Sequence, residues 1–491
     1  MSQPLPNILF IMSDDHAAHA IGCYGSRINR TPHMDRLAAG GMRFDQCFCT
    51  NSICTPSRAT ILTGTYNHIN GVTTLATKMD NSLTTFPKLL QQRGYRTAIF
   101  GKWHLGEGPR HCPTGFDDWA VLPGQGYYHN PTFIYPGPDG GVRRTVRGYA
   151  TDLITDMCLD WLERRDRERP FCLLCHHKAP HRPWYSDEKH AGMFLNEDVP
   201  EPETLLDDYS NRSKAAAAAA MRVGVHMNST DLKCEMPEAM PELERRRWAY
   251  QRYIKDYLRT VQSVDDNVGR LLDYLDAEEL AENTLVVYTS DQGFFLGDHG
   301  WYDKRFMYEE SLRMPLLMRY PREIASGSIN RDLVLNVDFP LLFLDLAGVE
   351  APREMQGRSF RALLHGHAPP DWRDAFYYRY WMNAAHHNVA AHYGIRTHRY
   401  KLIYYYYDGC GQPGAERGFQ AEAVDRGPIV PLDFEPEWEL FDLEKDPREL
   451  HNVAGDPAYA NVLRELRDRL HVLQAEVGDT RYSADRDGGR R

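Results

Sequence analysis

Four short apolar runs in this 491-residue chain each lead into polar residues of the kinds that carry chemistry. The runs span residues 7–12, 96–100, 171–175 and 285–289. Continuous apolar runs of this length are typical of strands buried on both faces, as in a parallel sheet flanked by helices. In such sheets, functional groups collect beyond the carboxyl ends of the strands. We therefore expect one shared site for the residues that follow the runs: Asp14, Asp15, Lys102, His104, His176, His177, His181 and Asp291.

A long amphipathic helix precedes the fourth run. Apolar residues from Tyr253 to Leu275 recur every three or four positions, which places them on one helical face. A helix that leads directly into a strand is the crossover connection of an α/β fold. The sequence thus predicts an α/β protein with a large mixed, mostly parallel sheet sandwiched by helices.

The composition changes after about residue 366. Residues 372–407 are rich in Tyr and Trp, which favours a small antiparallel sheet, and apolar residues at helical spacing over 462–473 predict a closing helix. We predict a catalytic α/β domain over residues 1–368 and a C-terminal subdomain over 369–491, with a smaller antiparallel sheet and a helix. Residues 186–241, which are rich in Pro and acidic residues, are interpreted as a surface excursion.

Charge and hydropathy argue against two classes of partner. Lys and Arg number 57 against 68 Asp and Glu, and this net charge of −11 disfavours nucleic-acid binding by bulk charge. No run approaches the roughly 18–20 apolar residues of a membrane helix. Because residues 1–11 have no basic segment before their apolar run, we expect a cytoplasmic protein. Tyrosine-rich edge strands make a homo-oligomer a reasonable expectation.

Asp14, Asp15, Asp291 and Gln292 offer only oxygen ligands. Hard divalent cations prefer such a set, whereas zinc prefers Cys and His. The pair Asp14 and Asp15 could instead cap a helix or face solvent, but the matching Asp291 after another run favours a metal site. The sequence predicts one divalent cation, Ca²⁺ rather than Mg²⁺, with Mn²⁺ as a further alternative.

Residues 54–58 read Cys-Thr-Pro-Ser-Arg, and Thr63-Gly64 follows. This segment resembles the signature of the type I sulfatases of the alkaline phosphatase superfamily, bacterial arylsulfatases among them, in which Cys-x-Pro-Ser-Arg opens a helix. The resemblance implies an alkaline phosphatase-like fold and hydrolysis of small sulfate esters. It also implies that a formylglycine-generating enzyme oxidises Cys54 to formylglycine before the chain folds.

Hydrated formylglycine has two hydroxyls on one carbon, which explains its use in such enzymes. One hydroxyl attacks sulfur, and the ester oxygen departs with its alcohol. The second hydroxyl can then lose its proton and expel sulfate as the aldehyde re-forms. A serine lacks this release step, so its sulfate ester would persist.

The resemblance extends to further segments. Residues 101–106, Gly-Lys-Trp-His-Leu-Gly, resemble a segment whose Lys contacts sulfate and whose His contacts formylglycine. Residues 178–184 resemble one that supplies a second His near the leaving oxygen, and residues 291–293 and 297–304 resemble the second metal segment with its sulfate-binding Lys. Gln292 stands where many relatives have Asn or His. The resemblance implies metal ligation by Asp14, Asp15, Asp291, Gln292 and the modified residue 54, and catalytic roles for Cys54, Arg58, Lys102, His104, His181 and Lys304.

Two alternative functions stay open. Phosphonate monoester hydrolases and phosphodiesterases of the same superfamily use formylglycine at a similar segment, although Ser57 and residues 101–104 favour sulfate. The other alternative is a catalytically inactive binder of sulfated ligands, against which the presence of Cys54 argues.

Substrate choice is not determined by these motifs. We expect specificity to lie in residues 125–147, residues 186–241 and the C-terminal aromatic residues, without a choice among aryl, alkyl and sugar sulfates. His299 is either a substrate-side group or a turn residue. Four C-terminal residues could reach over the site and help to select the substrate, but such residues more often pack in a core or along an edge strand: Trp381, His386, His387 and His392.

Overall fold

The computed structural model describes residues 4–237, 239–383, 387–406 and 435–479. His386 and parts of the predicted C-terminal subdomain lie outside the described residues.

A ten-stranded mixed sheet forms the centre of the molecule. In spatial order its strands are β14 (Ser328–Asn330), β2 (Met42–Phe44), β13 (Leu316–Arg319), β9 (Thr284–Ser290), β1 (Asn7–Ser13), β8 (Phe171–His176), β4 (Arg96–Lys102), β5 (Asp118–Leu122), β6 (Thr132–Tyr135) and β7 (Val142–Thr145). The contacts of β13 with β9 and β2 are antiparallel, as are those of β6 with β5 and β7, and the other pairings are parallel.

The four apolar runs form four neighbouring strands, in the order β9, β1, β8 and β4. All three pairings between them are parallel, with Met12 opposite both His176 and Thr289. The predicted mostly parallel sheet is therefore confirmed, and the carboxyl ends of the four strands meet at one edge.

Helices cover both faces of this sheet. The α-helices are α1 (Pro32–Ala39), α2 (Cys54–Thr63), α3 (Asn67–Asn70), α4 (Phe86–Gln92), α5 (Ala150–Arg164), α6 (Lys214–Ala218), α7 (Ser229–Leu232), α8 (Glu242–Ala277), α9 (Glu309–Leu312), α10 (Phe339–Leu346), α11 (Arg361–Leu364) and α12 (Ala460–Val477). Among the described residues, none of these helices combines the length and the apolar composition that crossing a membrane requires.

Strand β1 shows how the sheet divides the core. Phe10 points to the layer of α2, α4 and α10, where its ring meets Phe339 and Phe343 edge-on. Leu9 and Ile11 point to the opposite layer, with α1, α5 and the predicted long helix α8. Each large apolar side chain buried in this way contributes about 1.5–3 kcal/mol to stability, so the continuous apolar pattern reflects burial on both faces.

The C-terminal sheet is antiparallel, as predicted. It contains β16 (Ala375–Tyr380), β17 (His392–Thr397), β18 (Tyr400–Tyr405) and β19 (Glu437–Asp442), and α12 packs against it. Buried Glu439 of β19 accepts hydrogen bonds from Tyr308 Oη at 3.0 Å and from Tyr405 Oη at 2.9 Å, which ties the sheet to the larger part of the chain. The proposed boundary at residue 368 stays a prediction.

Two smaller sheets flank the large one. They contain β10 (Phe295–Leu296) with β11 (Tyr302–Asp303), and β12 (Arg313–Met314) with β3 (Cys47–Phe48) and β15 (Val334–Leu335).

Residues 186–241 are more than a surface excursion. Ala215, Ala216 and Met221 are fully buried. The backbone N–H of Ser213 donates to Glu439 Oε1 at 2.8 Å, so the segment packs against the C-terminal sheet. The interpretation from composition was wrong here because the small side chains of the alanine run allow close packing.

Candidate active site

Cys54 is the first residue of α2 and is 1% exposed. Pro56 fits the first turn of this helix, where a backbone N–H has no intrahelical partner, and Gly64 ends it with a φ of 65°. Residue 54 lines a cavity of about 690 Å³ together with Thr55, His104, His181 and Lys304. The start of α2 thus presents residue 54 to a space of ligand size.

Arg58 connects α2 to the ends of two strands. Its Nε donates to Asp291 Oδ2 at 2.9 Å and its Nη1 donates to the carbonyl of Lys102 at 2.8 Å. Ser57 Oγ donates to the carbonyl of Asp291, and Asn336 Nδ2 donates to Ser57 Oγ at 2.9 Å. Residue 54 is therefore held in a fixed position relative to Asp291.

Asp14, Asp15 and Asp291 are fully buried beyond the ends of β1 and β9. Burial raises the pKa of Asp15 to about 6, and burial together with the Asp14 carboxylate raises the pKa of Asp291 to about 7. Against the effect of burial, Lys102 holds the pKa of Asp14 well below its ordinary value. Crowded buried carboxylates of this kind need compensating positive charge.

Two oxygens in this cluster have no hydrogen-bond partner among the described residues: Asp14 Oδ1 and Gln292 Oε1. Gln292 Nε2 donates to Asp15 Oδ1, which orients the amide. The ligand atoms of Asp14, Asp15 and His181 lie within 4.8 Å of one another. Orphaned oxygens beside buried carboxylates fit a hard divalent cation.

Two lysines flank residue 54. Lys102 Nζ donates to Asp14 Oδ2 and to Gln125 Oε1, and Lys304 Nζ donates to Asp15 Oδ2 at 2.7 Å. Burial raises the pKa of the Cys54 thiol, and the two ammonium groups oppose this effect. The site thus places positive charge next to the position that a transferred anion would occupy.

His104 and His181 are the histidines among the described residues that line the cavity. His104 Nδ1 lies 3.2 Å from Thr55 Oγ1, and His181 Nδ1 lies 2.6 Å from the carbonyl of Arg182. Burial, followed by Lys102, holds the pKa of each well below its ordinary value. Adjacent residues of an extended strand point to opposite faces, so at most one of His176 and His177 is expected to face the site. Neither lines the cavity: His176 contacts the Lys102 carbonyl at 3.3 Å and His177 contacts Cys175 Sγ at 3.5 Å.

A polar wall beyond Lys304 was missed by sequence reasoning. Asp303 Oδ2 lies 2.8 Å from His387 Nε2, and Arg305 Nη1 donates to Tyr380 Oη at 3.3 Å. Arg182 Nε donates to Asp231 Oδ1 at 2.8 Å. Three members of this wall line the cavity: Arg182, Asp303 and Arg305. Their positions beside His181 and Lys304 in sequence are the signal that could have identified them.

The backbone around the cavity adopts unusual conformations. Asp15, His104, Asp303 and Arg305 have φ values of 69°, 56°, 81° and 99°. Left-handed conformations at non-glycine residues cost about 1–3 kcal/mol each and cluster at functional sites. Gly101 is required here for a different reason, because a Cβ would lie 1.9 Å from the carbonyl oxygen of His176.

The sequence leaves the roles of His299, Trp381, His387 and His392 open. The structure places the first, second and fourth in packed surroundings and the third beside the cavity wall. His299 is 1% exposed and lies 3.4 Å from Glu310 and 3.6 Å from Asp207, away from the cavity. His392 packs in the core against Tyr378, and the Trp381 ring lies under the Arg379 guanidinium at 3.6 Å. Packing therefore describes these residues, whereas His387 reaches the polar wall through Asp303.

The structure brings the predicted site residues together at the carboxyl edge of the sheet. They are Asp14, Asp15, Cys54, Arg58, Lys102, His104, His181, Asp291, Gln292 and Lys304.

Two family models match the chain. One is described as Sulfatase and matches residues 6–349, and the other is described as N-sulphoglucosamine sulphohydrolase, C-terminal, and matches residues 297–411 and 432–476.

Known proteins resemble the chain over nearly its whole length. It is 43% identical to the N-acetylglucosamine-6-O-sulfatase of Bacteroides thetaiotaomicron, over 96% of this chain and 87% of that protein. A solved structure in complex with its substrate D-glucosamine-2-N,6-O-disulfate has a TM-score of 0.87 and 42% identity, covering 98% of this chain and 100% of that one. The phosphonate monoester hydrolase of Agrobacterium radiobacter shares the fold with a TM-score of 0.73 and 20% identity, covering 96% of each chain.

Proposed function

Because this chain belongs to the sulfatase family, we propose that it hydrolyses the 6-O-sulfate ester of an N-substituted glucosamine. The observation that carries the proposal is the cavity that joins residue 54 to the polar wall of Asp303 and Arg305. The relative of 43% identity acts on N-acetylglucosamine 6-O-sulfate, and the structure of 42% identity holds a 6-O-sulfated glucosamine. Both support a sugar sulfate over an aryl or alkyl sulfate.

The polar wall suits a sugar ring. Asp303 offers carboxylate oxygens as acceptors, and Arg305 offers guanidinium N–H groups as donors to ring hydroxyls. With Arg182 also lining the cavity, this side offers charged donors and acceptors, which favours a polyhydroxylated substrate over an apolar one.

The nucleophile is a hydroxyl of hydrated formylglycine at position 54, where the cysteine Cβ marks the reacting carbon. One hydroxyl forms an S–O bond to the sulfate group as the bond between sulfur and the sugar O6 breaks, and the alcohol leaves with a proton. The remaining hydroxyl then loses its proton, the aldehyde re-forms, and sulfate leaves with the electron pair of its C–O bond. Addition of water to the aldehyde restores the two hydroxyls.

The side chains around residue 54 fit the steps of this reaction. His104 would take the proton of the remaining hydroxyl during sulfate release. Burial lowers the pKa of Lys304, but Asp15 and the other acidic groups around it together raise it by more, so this ammonium group stays protonated. It would donate a hydrogen bond to the leaving oxygen, with His181 beside it. Lys102 and Arg58 would stabilise the charge of the transferred group.

Asp14, Asp15, Asp291 and Gln292, with the modified residue 54, would hold one divalent cation. Ca²⁺ is favoured over Mg²⁺ because a crowded set of carboxylate and amide oxygens suits its larger coordination number. When bound, such a cation lowers the proton affinity of a hydroxyl and polarises a sulfate oxygen.

Maturation must precede folding in this scheme. Cys54 is buried at the start of a helix whose residues are all buried, so the folded protein does not present it to a second enzyme. The proposed partner is therefore a formylglycine-generating enzyme that acts on the unfolded chain. A cytoplasmic location and a homo-oligomer stay predictions.

The test is a comparison of matured protein on competing substrates. The protein is co-expressed with a formylglycine-generating enzyme, and peptide mass spectrometry measures conversion of Cys54. We expect the highest kcat/KM for N-acetylglucosamine 6-sulfate, a lower value for 4-nitrophenyl sulfate, and no turnover by Cys54→Ala. A higher kcat/KM for a phenyl phosphonate ester would instead support the phosphonate hydrolase, whose fold this chain shares.

A further inference from the structure

We infer that Thr55 is a positioning residue that fixes the orientation of His104. The inference rests on the proposed function, since it concerns the group that takes the hydroxyl proton at residue 54. Thr55 is the variable position of the Cys-x-Pro-Ser-Arg segment, and the motif by itself gives it no role.

Thr55 is next to residue 54 in the chain and contacts His104 in space. Thr55 follows Cys54 in the first turn of α2, is 2% exposed and lines the same cavity. Its Oγ1 lies 3.2 Å from His104 Nδ1. In the part of the chain that the structure describes, this is the one hydrogen bond made by either side chain.

The backbone at His104 is not held by the sheet, so a side-chain contact is needed to orient the imidazole. His104 lies two residues after the end of β4 with a φ of 56°, a conformation that a side chain with a Cβ rarely adopts. The sheet holds Lys102, but the pairing of β4 ends there. The contact with Thr55 therefore decides where the imidazole points relative to residue 54.

The proposed step requires one particular tautomer. A neutral imidazole has one N–H, so Nε2 can accept the hydroxyl proton only when Nδ1 carries the hydrogen. In that tautomer the Thr55 hydroxyl is free to act as the acceptor for Nδ1–H, so the 3.2 Å contact is compatible with the step. As Nε2 takes the proton, the C–O bond to sulfate breaks and the aldehyde C=O forms, while Nδ1–H remains with Thr55.

Two substitutions of Thr55 distinguish the effect of its hydroxyl from the effect of its side-chain shape. Thr55→Val removes the acceptor and nearly keeps the volume, whereas Thr55→Ser keeps the hydroxyl. In matured protein with N-acetylglucosamine 6-sulfate, we expect kcat of Thr55→Val to fall roughly tenfold or more, with KM within about threefold of wild type. Thr55→Ser should retain most of the wild-type kcat.

The fraction of sulfated residue 54, measured by mass spectrometry, distinguishes a role in sulfate release from a purely structural role. If His104 assists sulfate release, rapidly quenched Thr55→Val should carry residue 54 with one SO₃ group added, at a higher fraction than wild type. Conversion of Cys54 is measured in each variant, because Thr55 lies within the recognised segment, and rates are normalised to matured protein. Melting temperatures check that both variants fold.

A double-mutant comparison completes the test. In a His104→Ala background, Thr55→Val should cause no further loss of kcat, because its effect acts through the imidazole. Equal kcat for Thr55→Val and wild type, or equal losses for the Val and Ser variants, would overturn the inference alone. Absence of sulfate-ester turnover in fully matured wild type would overturn the proposed function, and the inference with it.

Discussion

Arg58 Nε lies 2.9 Å from Asp291 Oδ2, and this fully buried ion pair joins α2 to the residue that follows β9. The same guanidinium donates to the carbonyl of Lys102 at the end of β4. Three elements that are distant in sequence are thereby fixed around residue 54. A planar group with several donors can make both contacts, and an ammonium cannot.

Arg58→Lys should therefore impair both catalysis and stability. Lysine keeps the charge but loses one of the two contacts, and loss of a hydrogen bond made by a charged group costs about 1.5–3 kcal/mol. We expect kcat/KM of matured protein to fall at least 100-fold, and the free energy of unfolding in urea to decrease. Conversion of Cys54 must be measured, because Arg58 belongs to the recognised segment.

The surface pair of Arg270 and Asp156 provides the control. These side chains form an ion pair at 2.5 Å on a solvated surface. Arg270→Lys should change the free energy of unfolding by less than about 1 kcal/mol. If Arg58→Lys also changed the free energy of unfolding by less than about 1 kcal/mol and left kcat/KM unchanged, the buried pair would not be what fixes the elements around residue 54.

Removal of divalent cations should destabilise the protein and abolish its activity. Burial raises the pKa values of Asp15 and Asp291 in spite of their contacts with Lys304 and Arg58, and Asp14 Oδ1 and Gln292 Oε1 have no hydrogen-bond partner among the described residues. After treatment with a chelator we expect a lower melting temperature, which Ca²⁺ restores more effectively than Mg²⁺. Asp291→Asn should weaken the response to added Ca²⁺. Unchanged melting temperature and full activity after verified metal removal would contradict the cation site.

Arg305→Ala should separate sugar recognition from sulfate chemistry. Arg305 lines the cavity beyond Lys304, and its contact with Tyr380 Oη orients it. Loss of a hydrogen bond from a charged group to a sugar costs about 1.5–3 kcal/mol. We expect kcat/KM for N-acetylglucosamine 6-sulfate to fall at least tenfold, with a much smaller change for 4-nitrophenyl sulfate. Equal losses on both substrates would assign Arg305 to the sulfate site instead.

The clustering of the candidate site residues could be predicted because local patterns specify it. Asp14 and Asp291 follow apolar runs that had to be buried strands, and parallel pairing brings their ends together. Cys54 and Arg58 lie in one helix, so their spacing along the chain already sets their relation in space.

The polar wall could not be predicted in the same way, since its contacts join distant segments. His387 is 84 residues from Asp303, and Asp231 is 49 residues from Arg182. No periodicity relates such pairs, and each contact depends on how loops pack over the finished sheet. Residues 186–241 illustrate the point: their polar composition indicated exposure, yet Asp231 is buried beside the cavity wall.

His299 should make stability depend on pH. Although burial opposes it, Glu310 raises the pKa of His299 to about 9, with Asp207 also contributing. An unfolded histidine has a pKa of about 6.5. The protonated imidazole therefore contributes its full stabilisation below about pH 6.5, and this contribution is lost as the pH rises towards 9, amounting to about 3 kcal/mol across that window.

His299→Gln should remove this pH dependence, because glutamine does not titrate. Urea unfolding of wild type and His299→Gln between pH 6 and pH 9.5 measures the difference in free energy of unfolding at each pH, and we expect the difference to be largest at the acidic end. His451→Gln is the matched control: His451 lies 3.8 Å from Asp446 on the exposed surface, and this solvated pair should leave the pH profile unchanged. A difference between wild type and His299→Gln that stays constant across the range would mean that His299 contributes by packing alone, since only a change in bound protons makes stability depend on pH.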